Sequence, residues 1–228
     1  MLDTLSALSP LVLVAAFALG YGLGSIPFGL VVTRLAGAGD IRKIGSGNIG
    51  MTNVLRTGRK DLAALTLLGD AGKGWLAVVL AGWLAVRLHT QLSLTGGGSL
   101  SEGYRLLGAT EAAAMVVAAL AAFIGHCYPV WLRFRGGKGV ATYLGILLAF
   151  SGWAGLGFAL TWIATAAVTR FSSLAALVAT LVSPLILLAF GRPGVAVLFA
   201  ILTAVLYLKH RDNIRRLLAG TESRIGAK

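Results

Sequence analysis

Acidic residues are scarce in this chain. Its 228 residues include eight Asp and Glu against 20 Lys and Arg. Mg²⁺ and Ca²⁺ need clustered carboxylate oxygens, so the sequence offers them no site. Cysteine is rarer still: Cys127 stands alone, which excludes an intramolecular disulfide and a thiol-based metal centre. Charge of either sign is thin at 12% of residues, while 57% are hydrophobic and the mean hydropathy is +0.85. A soluble domain of this length could not hide so much apolar surface. The first apolar run, from about Pro10, lacks a cationic leader and a small-residue cleavage site, so it reads as a retained span rather than a signal peptide. The chain is expected to be all-α and to cross a membrane several times.

The net charge is +12. In a soluble protein that would suggest nucleic acid. Here the cations fall in short loops, where membrane topology and anionic headgroups account for many of them, and an anionic substrate is the sharper alternative.

Apolar runs cover Pro10 to Val32, Leu62 to Leu88, Glu111 to His126, Tyr143 to Val168, Leu174 to Phe190 and Val195 to Leu208. Gly20 and Gly24 form a GxxxG pair that permits close helix packing. Asp70 and Lys73 share a face near the start of the second run, as a structural ion pair or as part of a site. Seventeen of the 20 Lys and Arg, with Lys73 among them, fall in segments that the positive-inside rule places in the cytoplasm. The N-terminus is then outside and the C-terminus inside. Lys138 and Arg170 lie on the same side, so the stretch of about 139–169 must cross twice. Roughly 30 residues shared between two helices give each about 20 Å, against a hydrocarbon core of about 30 Å. Two short helices meeting at Ser151-Gly152 are expected, and seven membrane helices in all. Residues 1–228 read as one integral membrane domain with a basic cytoplasmic tail over about 209–228. That tail looks helical, with Leu206, His210, Asn213 and Leu217 on one face and Gly220 as a cap.

Four cytoplasmic segments hold the polar chemistry. The first carries GSGN with Thr52, Asn53 and Arg56; the second Gly125, His126, Gly136-Gly137-Lys138-Gly139 and Thr142. The third has Arg170, Ser172 and Ser173, and the fourth Lys209, His210, Arg211 and Asn213. Glycine lets backbone N–H groups approach a ligand closely, and a following helix N-terminus adds partial positive charge. Such donors suit phosphate. The glycine-lysine loop is not a nucleotide P-loop: Gly139 follows Lys138 where Ser or Thr is required, and Leu132 stands in place of the first glycine.

These motifs resemble those of the bacterial acyl-phosphate:glycerol-3-phosphate acyltransferases, integral membrane enzymes that begin phospholipid synthesis. The family's SGNxGATN reads SGNIGMTN here, with Met51 in place of alanine. Its GHxxPxxxxFxGGKGVAT is matched at every fixed position by GHCYPVWLRFRGGKGVAT, residues 125–142. RFSS and the tail KHRDNIRRLLAGTE look like its remaining motifs. The resemblance implies that the 1-hydroxyl of glycerol 3-phosphate attacks acyl phosphate, giving 1-acylglycerol 3-phosphate (lysophosphatidic acid) and phosphate. It places the enzyme in a bacterial inner membrane with its site facing the cytoplasm. It implies no cofactor, and it argues against acyl-CoA and acyl-carrier-protein donors.

By that resemblance Ser46, Arg56, Lys138, Ser173, His210 and Asn213 contact glycerol 3-phosphate, with Ser172 nearly equivalent to Ser173. Gly136, Gly137 and Gly139 wrap the acyl phosphate, with Asn48, Asn53, His126 and Thr142 nearby, and Lys138 is able to bridge both anions. Ser46, Lys138, His210, Asn213 and His126 are the expected catalytic residues. The other large acyltransferase class pairs a histidine with an aspartate five positions later. Here those positions hold Leu94, Trp131 and Arg215. A substrate-assisted route, without an obligatory side-chain base, is expected. The residues alone would also suit an organic-phosphate transporter or a lipid-binding scaffold. The first should show repeated halves, and none is visible; the second leaves the clustered Ser, Asn and His unexplained.

Overall fold

In hydrocarbon every backbone N–H and C=O must find a partner within the protein, so apolar runs become helices. A computed structural model describes the backbone of residues 2–45, 47–96 and 100–226, and the side chains of 10–45, 47–88 and 107–226. It contains α1 (Leu2–Gly24), α2 (Phe28–Leu35), α3 (Met51–Val54), α4 (Lys60–Gly96), α5 (Leu100–Cys127), α6 (Val140–Phe150), α7 (Gly152–Thr169), α8 (Ser172–Ala189), α9 (Pro193–Lys209) and α10 (Arg211–Leu218). Among the described residues there are no strands.

Five segments are long and apolar enough to cross a membrane: Pro10–Leu35, Lys60–Leu88, Leu107–Leu132, α7 and α8. Taken with α10, from which it is bent by 64°, α9 makes a sixth. The protein is therefore a multi-pass, all-helical membrane protein, with five or six spans of full length where seven crossings were expected. The two helices between 139 and 169 are also unequal. The break falls at Ser151, whose side chain accepts from the Ala154 N–H. That leaves α6 with 11 residues and α7 with 18, or about 16 and 27 Å. One helix is short, not two.

Small residues set the packing. A Cβ on Gly20 or Gly24 would run into the backbone of Ala118 or Ala122, so α1 and α5 meet main chain to main chain. Gly145 of α6 lies in the same way against the Ala71 carbonyl of α4. Tyr143 is fully buried among Phe123, Phe158 and Phe199. Its hydroxyl donates to the Thr180 carbonyl at 3.1 Å, which removes the penalty of an unpaired polar group in the core.

Lys73 lies inside α4, on one face with Asp70 as their spacing implies, 2% exposed and with its ammonium 2.6 Å from the Asp70 carboxylate. One expectation needs correction. The tail is not one continuous helix, since α9 ends at Lys209 and the chain turns at His210 before α10. Gly220, at φ +69°, closes α10 as a left-handed cap, with the Thr221 N–H bonded to the Arg216 carbonyl at 2.8 Å.

Candidate active site

The glycine loop is docked onto the end of α5. The Gly137 N–H donates to the His126 carbonyl at 3.0 Å, and the Gly136 N–H to the Cys127 carbonyl at 3.2 Å. Cys127 also accepts from the Lys209 ammonium at 3.1 Å, tying α9 to the same helix end. Gly139 has φ +89° and caps α6. A side chain there would be strained in backbone and would strike the Phe123 ring. The first turn of α6 thus presents its free N–H groups beside the loop.

Lys138 leaves this loop and donates to the Asn213 side-chain carbonyl at 2.6 Å. The Asn213 amide donates at 2.6 Å to Glu222 Oε1, which also accepts from the Ser173 hydroxyl at 2.7 Å. Arg216 Nε donates to Glu222 Oε2 at 2.6 Å. The acceptors fix the Asn213 amide, with oxygen toward ammonium and nitrogen toward carboxylate. Burial pulls the Lys138 ammonium down to about 8, partly opposed by Glu222. Burial alone would raise the Glu222 carboxyl, yet hydrogen bonds from Ser173, Asn213 and Arg216 hold it below its ordinary value.

The rest of the tail straps the cluster. Arg56 donates to the Ser223 hydroxyl. Ile225 and Arg170 exchange main-chain and guanidinium bonds at 2.7 and 3.0 Å, and Arg224 lies over the Phe171 ring at 5.5 Å. His210 is buried at the bend, its Nδ1 2.9 Å from the Leu206 carbonyl. A carbonyl only accepts, so Nδ1 carries a proton and Nε2 is the acceptor in the neutral ring.

Lys138, Asn213 and Ser173 therefore share one hydrogen-bonded chain, and Arg56 reaches its strap. Gly136, Gly137 and Gly139 form the adjoining loop. Ser172 is half-buried at the start of α8 beside Ser173. His126 is 4% exposed, and its ring lies against Gly137, where a Cβ would overlap Nε2. Thr142 is buried, and its hydroxyl has no hydrogen-bond partner. Asn53 is buried, with its amide donating to the Ile41 carbonyl at 2.8 Å, so it closes the first loop on itself. Asn48 accepts from the neighbouring Ile49 N–H at 2.9 Å. Ser46 lies outside the described residues. Among the described residues no three His, Cys, Asp or Glu gather as a metal site. Sequence reasoning missed Glu222, whose signal was an acid placed within a tail of cations.

Membrane-crossing helices that gather ammonium, guanidinium, amide and hydroxyl groups around the Glu222 carboxylate define an integral membrane protein with a polar cluster tied to its tail. The glycerol-3-phosphate acyltransferase family model matches residues 14–220. A glycerol-3-phosphate acyltransferase of Nitrobacter winogradskyi is 55% identical over 213 residues, 93% of this chain and 96% of its own. One from Brucella canis is 53% identical over 217 residues, 95% and 94% of the two chains. The crystal structure of PlsY, an integral membrane glycerol 3-phosphate acyltransferase, in its glycerol 3-phosphate form has a TM-score of 0.76 and 34% identity, covering 94% of this chain and 96% of that one. Its lysophosphatidic acid form has a TM-score of 0.75. This chain belongs to the glycerol-3-phosphate acyltransferase family, which sets aside the transporter and scaffold readings.

Proposed function

We propose that the protein transfers an acyl group from acyl phosphate to the 1-hydroxyl of glycerol 3-phosphate, yielding 1-acylglycerol 3-phosphate and inorganic phosphate. The observation that carries this reading is the bonded chain Lys138–Asn213–Glu222–Ser173, which abuts the Gly136–Gly139 loop. Two anions must be brought together, and their repulsion has to be offset by preorganised donors. Lys138, Ser173, His210, Asn213 and Arg56, with Ser46, hold glycerol 3-phosphate. The loop and the first turn of α6 hold the acyl phosphate, and Lys138 bridges the two.

The hydroxyl oxygen attacks the acyl carbon and forms the new ester bond. The bond from that carbon to the phosphate oxygen breaks, and phosphate leaves with the electron pair. A phosphate oxygen takes the hydroxyl proton, so no side-chain base is required. Two features support this. Acyl phosphate already carries a good leaving group, and the His126 ring faces Asp70 and Gly137 instead of open space. Juxtaposition of the two substrates supplies much of the acceleration.

The topology goes with this reading. The N-terminus lies outside, the tail and the site lie at the cytoplasmic face of the bacterial inner membrane, and α6 is a seventh, short crossing. A helix of about 16 Å leaves the bilayer thinned beside the loop, where an acyl chain enters from lipid. The test offers purified protein glycerol 3-phosphate with acyl phosphate, acyl-CoA or acyl-carrier protein. Turnover with acyl phosphate alone is expected. Equal turnover with either of the others would overturn the donor assignment.

A further inference from the structure

Asp70 and Lys73 take no part in the reaction written above, yet they are buried side by side within α4. Their charged groups are 2.6 Å apart, and the side chains are 3% and 2% exposed. Lys73 also donates to the Ile26 carbonyl at 2.7 Å, where α1 gives way to Pro27 and α2. The Asp70 carboxylate faces His126 Nδ1 at 3.6 Å. The opposite edge of that ring lies against Gly137, where a Cβ would overlap Nε2. Main-chain bonds from Gly136 and Gly137 to the end of α5 lock the same contact. Gly74, one residue beyond Lys73, meets the Thr142 carbonyl in the first turn of α6. Carboxylate, imidazole and glycine loop are therefore stacked in series, from α4 through α5 to the start of α6.

Desolvating a charged pair this deeply is costly, and apolar residues of similar volume often hold helices together as well or better. Stability is a poor reason for the pair. A loop of three glycines in four residues, by contrast, has little stiffness of its own, and a phosphate grip must be held to within a fraction of an ångström. We propose that Asp70, Lys73 and His126 form a buried strut that fixes the position of the Gly136–Gly139 loop, making them positioning residues for the acyl phosphate. This rests on the assignment of that loop to acyl phosphate.

The test measures kcat and both KM values in purified variants. Gly137→Ala forces a methyl into the His126 ring and raises the acyl-phosphate KM by about tenfold to a hundredfold, the cost of a displaced grip, while the glycerol 3-phosphate KM holds. In His126→Ala/Gly137→Ala the new methyl enters the space the ring has left. The double variant then performs no worse than His126→Ala alone, whereas independent contributions would multiply. A multiplied loss overturns the contact. The second arm replaces the pair by Asp70→Leu/Lys73→Met, with melting temperature measured in detergent. The strut predicts a raised acyl-phosphate KM even where melting is at or above wild type. A wild-type KM in a well-folded apolar pair overturns it. Wild-type turnover in the same assay distinguishes the two levels: an inactive wild type refutes the acyl-phosphate reading, and an active one with multiplied losses refutes only the strut.

Discussion

The Lys138 ammonium gives the sharpest pH prediction. Burial lowers it to about 8, and Asn213 and Glu222 face it while Arg56 and Arg216 stand near. A lysine lowered in this way is charged below that value and neutral above it. By ordinary titration the charged fraction is about nine-tenths at pH 7, half at pH 8 and a tenth at pH 9. If only the ammonium form holds glycerol 3-phosphate, its apparent KM rises about twofold from pH 7 to 8 and about tenfold from pH 7 to 9. The phosphate of the substrate, with a second pKa of about 6, is already a dianion across this window. The assay is initial-rate phosphate release at saturating acyl phosphate, corrected for spontaneous hydrolysis at each pH. Lys138→Arg carries a guanidinium that stays charged, so its KM, though higher throughout, is flat from pH 7 to 9. A flat wild-type profile, or one that the arginine variant reproduces, would refute the role given to this ammonium.

Glu222→Gln keeps the side-chain size but turns one acceptor into a donor facing Ser173, Asn213 or Arg216. The loss of one or two charged hydrogen bonds lowers kcat/KM for glycerol 3-phosphate by about tenfold to a hundredfold, read by substrate titration. Gly145→Ala drives a methyl into the Ala71 carbonyl and costs about 1–3 kcal/mol of stability, seen as a lower melting temperature in detergent. His126→Ala raises the acyl-phosphate KM and His210→Ala the glycerol 3-phosphate KM, each by about tenfold to a hundredfold; a loss of turnover near a millionfold at saturating substrate in either would identify an obligatory base. Cys127→Ala, at a buried thiol packed beside the site, leaves turnover within about threefold, because removing so small a group costs little more than a methyl.

Much of this was legible in the chain. Apolar runs fixed where the spans would fall, because backbone in lipid has few alternatives to helix. Gly20 and Gly24 pointed to a close contact, and Ala118 and Ala122 proved to be its other half. Residues 125–142 announced the glycine loop and Lys138, because each glycine there answers a local need: docking on α5, or the φ of +89° at Gly139. What escaped was decided by partners distant in sequence. The Asn213 amide is oriented by Lys138 and Glu222, 75 positions before it and nine after it. The bend at His210 is only faintly marked, by Asp212 in the first turn of α10, since no Gly or Pro breaks the run from Leu208 to Leu218. The spacing of Asp70 and Lys73 put them on one helix face, but that their charges meet buried in the bundle depends on the helices packed around them. The break between α6 and α7 falls at Ser151, where the sequence placed it, and that position alone makes the two helices unequal.

The central claim is that one pocket, built from segments far apart in the chain, brings two phosphorylated substrates together for acyl transfer. Its most direct test is the stoichiometry of a single reaction in lipid mesophase, with acyl-labelled acyl phosphate and glycerol 3-phosphate. The account predicts one 1-acylglycerol 3-phosphate for each phosphate released, and no release above the spontaneous rate when glycerol 3-phosphate is withheld. Phosphate released without the acceptor, or without matching ester, would contradict it.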